Sequence, residues 1–322
     1  MDYTKAALTF YQQGLNDEDV QARTQAVLQA QNITGAGDEM ADYLTAVWNG
    51  YKVANEEAEL YVDKLAAVAD SSASNMSELA IAMSKVASTA NAMGVDVDQL
   101  NAQIATIVAT TRQAPESVGN ALKTIYSRIN DISTGAEDAE ISLGNYSSKM
   151  MDVGISVLDA NGNLRDTGEV IEEIGGKWAD LSREQQIYLA RTMAGQRQYN
   201  NLIALFDNWS KYSDLVNVSM ESQGTLVEKN SRYMESLGAK MEQLGAAGEK
   251  VKDALINEED LKGLVDFGTG AVSLFGSLIE SIGGGRGALL AFGSVFTQVF
   301  SGTIAKELNN VITNFQNVKN NA

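Results

Sequence analysis

The chain has 322 residues, no histidine, no cysteine and a formal net charge of -18 at pH 7. The missing residue types exclude Cys/His zinc sites, Ser-His-Asp and Cys-His triads, iron–sulfur ligation and disulfides; carboxylate-only chemistry survives in principle, and no cofactor is implied. With 24 Lys and Arg against 42 Asp and Glu, specific nucleic-acid binding by phosphate neutralisation is disfavoured; the acidic excess serves solubility first, with repulsion of a neighbouring duplex as the sharper alternative.

A hydrophobic share of 44% can bury a core, and the length suggests roughly two domains. A single proline in long Ala-, Leu-, Gln- and Glu-rich stretches predicts a mainly α fold with glycines at helix ends. The first ten residues lack a basic start followed by an apolar run, so no signal peptide is expected.

Residues 17 to about 146 predict short amphipathic helices in a compact bundle. Leu79, Ala82, Met83, Val86, Ala87, Ala90 and Met93 recur at three- and four-residue steps, with Asn75 and Glu78 spaced as a capping box and Gly94 as the closing residue. Asp96 with Gln99 opens the next helix, whose stripe is Leu100, Ile104, Ile107 and Val108. Pro115 opens a third, with Val118, Ala121, Leu122, Ile125, Tyr126 and Ile129 on its buried face. Val47 to Ala58 predicts one continuous helix.

Over 154–165 the pattern changes. Ile155, Val157, Leu158 and Leu164 flank Asn161 and Gly162, which predicts a small β-hairpin. Asp159, Asn161 and Asn163 alternate as in a calcium loop, but Leu164 and Val170 stand where an EF-hand needs Gly and Glu, so a structural turn is expected. Val170, Ile171, Ile174, Trp178 and Leu181 mark one helix. Ser182 with Gln185 caps another, carrying Ile187, Ala190 and Met193 and ending at Gly195, and Tyr199, Leu202, Ile203, Phe206 and Trp209 continue at helical spacing.

Residues 221–262 are polar, with a thin stripe of Leu237, Met241, Leu244, Val251 and Leu255, and predict a linker helix or the start of a coiled coil. Two apolar segments come next, Leu264 to Ile282 and Ala288 to Ala305, separated by a Gly-rich turn at 283–287. Their 19 and 18 residues approach the roughly 20 that cross a bilayer. Asp266 and Glu280 lie near the ends of the first, where an acid costs less than at mid-membrane. A membrane-inserting or assembly face is formed by Leu274, Leu278, Ile282, Phe292, Phe296, Phe300 and Ile304. A close-packing stripe is formed by Gly293, Thr297, Ser301 and Ala305. Insertion in lipid and burial in an assembly both fit this apolar helical hairpin. The Asn-rich tail, 307–322, has the look of a truncated end. The expected domains are therefore 1–220, 221–262, 263–306 and 307–322.

Three stretches, 91–132, 154–165 and 178–186, resemble the core region of tail tape measure proteins from long-tailed phages of Gram-positive bacteria, and the resemblance runs over about residues 35–220. It implies a structural protein that sets tail length during assembly and helps genome delivery through the host membrane. The implied partners are copies of itself, as a trimer, together with the tail tube protein, tail assembly chaperones and distal tail proteins. The implied locations are the lumen of the virion tail, the host cytoplasm during assembly and the host membrane during infection. Helices of about four turns make a folded body; a ruler, at 1.5 Å per residue of continuous helix, would lie elsewhere in the protein. An alternative reading takes Trp48, Asn49 and Gly50 as the turn of a secreted Trp-x-Gly helical effector with a pore-forming tail. A carboxylate-only glycosidase would draw on Glu172 and Glu173, but adjacent helix residues point apart and cannot flank one scissile bond. No catalysis is expected.

Overall fold

The computed structural model describes residues 3–236 apart from positions 38, 135, 137, 138 and 140. The chain divides into two compact units, Tyr3–Glu228 and the remainder; of the second, residues 229–236 are described and are helical. The first unit carries α1 (Tyr3–Gln12), α2 (Asp17–Thr34), α3 (Glu39–Tyr51), α4 (Ala58–Ser71), α5 (Met76–Ala92), α6 (Val97–Thr111), α7 (Pro115–Thr134), α8 (Leu143–Met151), α9 (Thr167–Lys177), α10 (Arg183–Phe206) and α11 (Trp209–Met220).

Local chemistry sets most of these boundaries. Capping boxes close the starts of α5, α6 and α10, pairing Asn75 with Glu78, Asp96 with Gln99 and Ser182 with Gln185. At the end of α5, Gly94 adopts a left-handed φ of 67° while the Val95 amide donates to Ala90 and the Gly94 amide to Asn91, a Schellman closure. Pro115 begins α7, where its missing N–H costs nothing.

α6 lies at the centre. Residues 100–108 are buried on every side, including the polar Asn101, Gln103 and Thr106. The single stripe of Leu100, Ile104, Ile107 and Val108 expected from the sequence thus understates it: the helix is enclosed by α4, α5, α7, α10 and α11. On one side α3 packs on α5 and α5 on α7. These approaches depend on glycine. A methyl group on Gly119 would overlap the Ala82 carbonyl, and one on Gly50 would crowd Ala87 and the Ser88 amide.

Two expectations are corrected. The β-hairpin at 154–165 does not form strands: one isolated antiparallel bridge, Leu158 with Leu164, closes a turn. The ladder stops because α8 ends in a Schellman turn at Gly154 and α9 begins at Thr167, and the Asp159 carboxylate takes the Asn161 and Asn163 amides at 2.8 and 2.9 Å. The continuous helix over Val47 to Ala58 is broken. α3 ends at Tyr51, Lys52 turns left-handed at φ 55°, and Val53 and Lys52 donate to Trp48 and Asn49 in a Schellman closure without glycine, followed by a 3-10 turn, Asn55–Glu57. The helix end expected at Gly195 is present: at φ 67° and ψ -177°, a backbone region reserved for glycine, it breaks α10 into two helical stretches joined by a kink. Among the described residues no helix is long and apolar enough to cross a membrane. The apolar segments 264–282 and 288–305 lie outside the described residues.

Candidate functional site

α4 carries adjacent charges inside an apolar run, Val62, Asp63, Lys64 and Leu65, and all four are buried. Asp63, 3% exposed, accepts hydrogen bonds from the Gly224 amide at 2.8 Å and the Leu226 amide at 2.6 Å. Helical backbone starts at residue 225, so this carboxylate serves as a remote N-cap where the local sequence offers only Gly224, at φ 86°. Beside it, Lys64 pairs with Asp98 of α6 at 2.6 Å, and the Ser219 hydroxyl of α11 donates to the same Asp98 oxygen at 2.6 Å. Asn101 donates to the Lys64 carbonyl at 2.9 Å. A lone buried carboxylate is costly, and each of these acids is satisfied by donors from distant sequence.

A second network crosses α6, α7, α9 and α11. The Tyr212 hydroxyl donates to Glu172 at 2.6 Å, Gln99 donates to the same Glu172 oxygen at 3.3 Å, and the Tyr126 hydroxyl donates to Gln103 at 2.5 Å. Burial, then the Glu172 carboxylate, raises the Tyr212 pKa far above the phenol range, and burial likewise raises Tyr126. Glu173 turns the other way, to Arg165 at 2.6 Å and Lys177 at 2.7 Å. Burial pushes its carboxyl up, but the hydrogen bonds from Lys177 and Arg165 outweigh this and its pKa falls below 4.5. Glu172 and Glu173 therefore serve separate ties and share no cleft. Gly175 completes the region by letting the Trp209 ring lie against α9, and Trp209 stacks on Tyr212 at 4.4 Å between centroids.

The remaining candidates are structural. Asp159 is held below its ordinary pKa by the Asn163 amide and then the Asn161 amide, so its lone pairs belong to the turn. Among the described residues no group of three acids could hold a metal ion. A void of about 10 Å³ beside Tyr146, Arg165 and Thr167 has room for one water at most. Trp48 is fully buried, donates to the Ala58 carbonyl at 3.1 Å, and lies under the Arg23 guanidinium at 5.1 Å and 6.0 Å from Phe10. It anchors the junction of α1, α2 and α3, and the Trp-x-Gly stretch sits inside α3, not at a turn.

The faces expected in the apolar tail, Leu274, Leu278, Ile282, Phe292, Phe296, Phe300 and Ile304 with Gly293, Thr297, Ser301 and Ala305, lie outside the described residues. Asp63, Lys64, Asp98 and Ser219 are not marked by any sequence motif; the one signal is the charged pair within the apolar run of α4.

A profile of the family described as phage-related minor tail protein matches residues 1–195. A tape measure protein of Pneumococcus phage Dp-1 is 27% identical over 227 residues, which are 70% of this chain and 18% of that relative. The chain thus spans less than a fifth of the length of the curated relative it matches. No solved structure matches it.

Proposed function

The chain belongs to the phage-related minor tail protein family, and on that premise we propose that residues 3–228 are the folded core of a tape measure protein. A structural role in the phage tail follows from the family. The observation that supports the finer reading is the architecture: helices of 9 to 20 uninterrupted residues closed around the buried α6, with the carboxylates tied into the fold. Such a body does not measure length. Drawn out as one helix, 226 residues would reach about 340 Å, whereas a compact unit of that size has a radius of gyration of about 17 Å. The ruler would be continuous helix outside this unit, and the core would act as its terminal anchor. Its partners in this reading are the tail tube, the assembly chaperones, distal tail proteins and further copies of the chain, as a trimer in the tube lumen.

Domain boundaries near 220, 262 and 306 belong to the same proposal, with 221–262 joining the core to an apolar segment that enters the host membrane at infection. Two experiments test it. Lengthening helical sequence outside residues 3–228 in the encoding gene should lengthen tails by about 1.5 Å per residue; unchanged tails would sink the ruler. Purified chain should release dye from lipid vesicles when intact and not when ended at Lys262. Equal leakage from both, or from neither, removes the membrane role and leaves 264–305 as an assembly core.

A further inference from the structure

The bonds around Asp63 have an unusual reach. Its two oxygens hold backbone amides 161 and 163 residues downstream, at the point where helical backbone begins again. Two residues beyond Leu226, the first unit ends. On the unit's side of that point the segment is buried along one face: Met220, Glu221 and Gln223 are exposed, whereas Ser219 is 0% exposed, Ser222 2% and Leu226 0%. One residue later, Val227 is 50% exposed. The segment is therefore held on one side, at Ser219, Ser222 and Leu226, while its other side faces water.

We infer that Asp63, with Asp98 beside it, is a latch for the segment 219–226: the core binds its own outgoing chain as it would bind a peptide, and releasing the latch frees the downstream chain without unfolding the bundle. The chemistry supports a releasable contact. The Asp63 bonds go to backbone N–H groups, not to side chains whose loss would open the core. Aligned amides at a helix start are natural partners for a carboxylate. Gly224, left-handed at φ 86°, supplies the bend that brings its own amide and that of Leu226 to the two oxygens. Ser219 adds a second hook through Asp98, whose charge is already balanced by Lys64. In contrast, the α3, α5 and α7 contacts are made by apolar side chains that have no replacement partner in water. The latch does not depend on the tape measure reading; a folded core of any longer protein would fix or free its C-terminal continuation this way.

Hydrogen exchange on the full 322-residue chain, comparing wild type with Asp63→Asn, tests the inference. The amide side chain keeps the size but offers one acceptor and turns a donor toward a backbone N–H. Exchange across 219–236 should speed up at least about tenfold, while peptides from α5, α6 and α7 keep their wild-type rates. Trypsin should then cut first at Lys229 and Arg232. Faster exchange throughout the unit would overturn the latch and make Asp63 an ordinary core residue, as would no change at all. If Asp63→Asn does not fold, Ser219→Ala removes only the second hook and is read by the same two outcomes.

Discussion

Two sides of the same bundle are held by different physics. Where α3, α5 and α7 meet, the contact is one of shape: Gly50 against Ala87, Gly119 against the Ala82 carbonyl, and buried aliphatic side chains between. Where α6, α7, α9 and α11 meet, and at the ends of α9 and α10 beside them, it is one of direction: Tyr212 to Glu172, Tyr126 to Gln103, Trp178 to Asp207, and Trp209 stacked over the bare Gly175. Packing of the first kind is sensitive to volume and indifferent to protons. Bonds of the second kind tolerate small changes of volume and fail when a donor or acceptor changes its charge. A unit built from both has two independent ways to come apart.

Alkali should separate them most sharply. Tyr51, Tyr126, Tyr146 and Tyr212 have pKa values raised above the ordinary 10.0, with burial the first cause in each case. The sign follows from linkage. Below pH 10 both states hold their protons and stability is complete; as pH rises past 10 the unfolded chain ionises its phenols and the folded one does not. Four such groups cost about 5 kcal/mol per pH unit above pH 10. Urea midpoints measured between pH 9 and pH 11 should therefore fall steeply, and Tyr212→Phe should remove about a quarter of that slope. A flat profile would mean that water reaches these hydroxyls and that the directional side is open.

Gly119→Ala tests the other side. The added methyl meets main chain that has nowhere to move, and the loss should be about 3 kcal/mol, the upper part of the range for overpacking. It should be the same at pH 7 and pH 10.5, because the overlap is with the Ala82 main chain and Gly119 lies about two turns along α7 from Tyr126. A loss that grows with pH would show that the sides are coupled through α7, which carries both Gly119 and Tyr126.

The division also separates the features legible in the sequence from those that are not. Three-residue spacings mark the capped starts of α5, α6 and α10, and Gly94 and Pro115 punctuate them, since a capping box is a local event. The hairpin expected at 154–165 is absent because alternating apolar residues around Asn161 and Gly162 resemble a ladder, and the pattern says nothing of Asp159 capturing the turn amides. The break after α3 has no signal, as Lys52 fills a place where glycine is expected. The polar ties are out of reach for a different reason. Glu172 and Tyr212 are 40 residues apart, Asp98 and Ser219 121, and Asp63 and Leu226 163, so no window of sequence contains both partners. Charges within the apolar run of α4 are the nearest thing to a trace.

The smallest effect lies at the edge of the directional side, in the Glu173 ion pairs. Hydrogen bonds from Lys177 and Arg165 prevail over burial and depress the Glu173 pKa below 4.5. A depressed carboxylate contributes stability at neutral pH that is lost as pH falls below 4.5 and through the lower folded value. Lys177 is 46% exposed, so water and salt screen much of the interaction, and the contribution stays under about 1 kcal/mol. Glu173→Gln should shift the urea midpoint slightly at pH 7 and make the decline below pH 4.5 shallower, and 0.5 M salt should shrink both differences. A loss of several kcal/mol at pH 7 would point elsewhere. Arg165 also donates to the Ser156 carbonyl at 2.6 Å, and Lys177 to the Gly154 carbonyl at 2.8 Å, so the ion pairs would then be positioning the turn at 154–165. In that case α9 is fixed by the turn that precedes it more than by Gly175 against Trp209, and the directional side extends to α8.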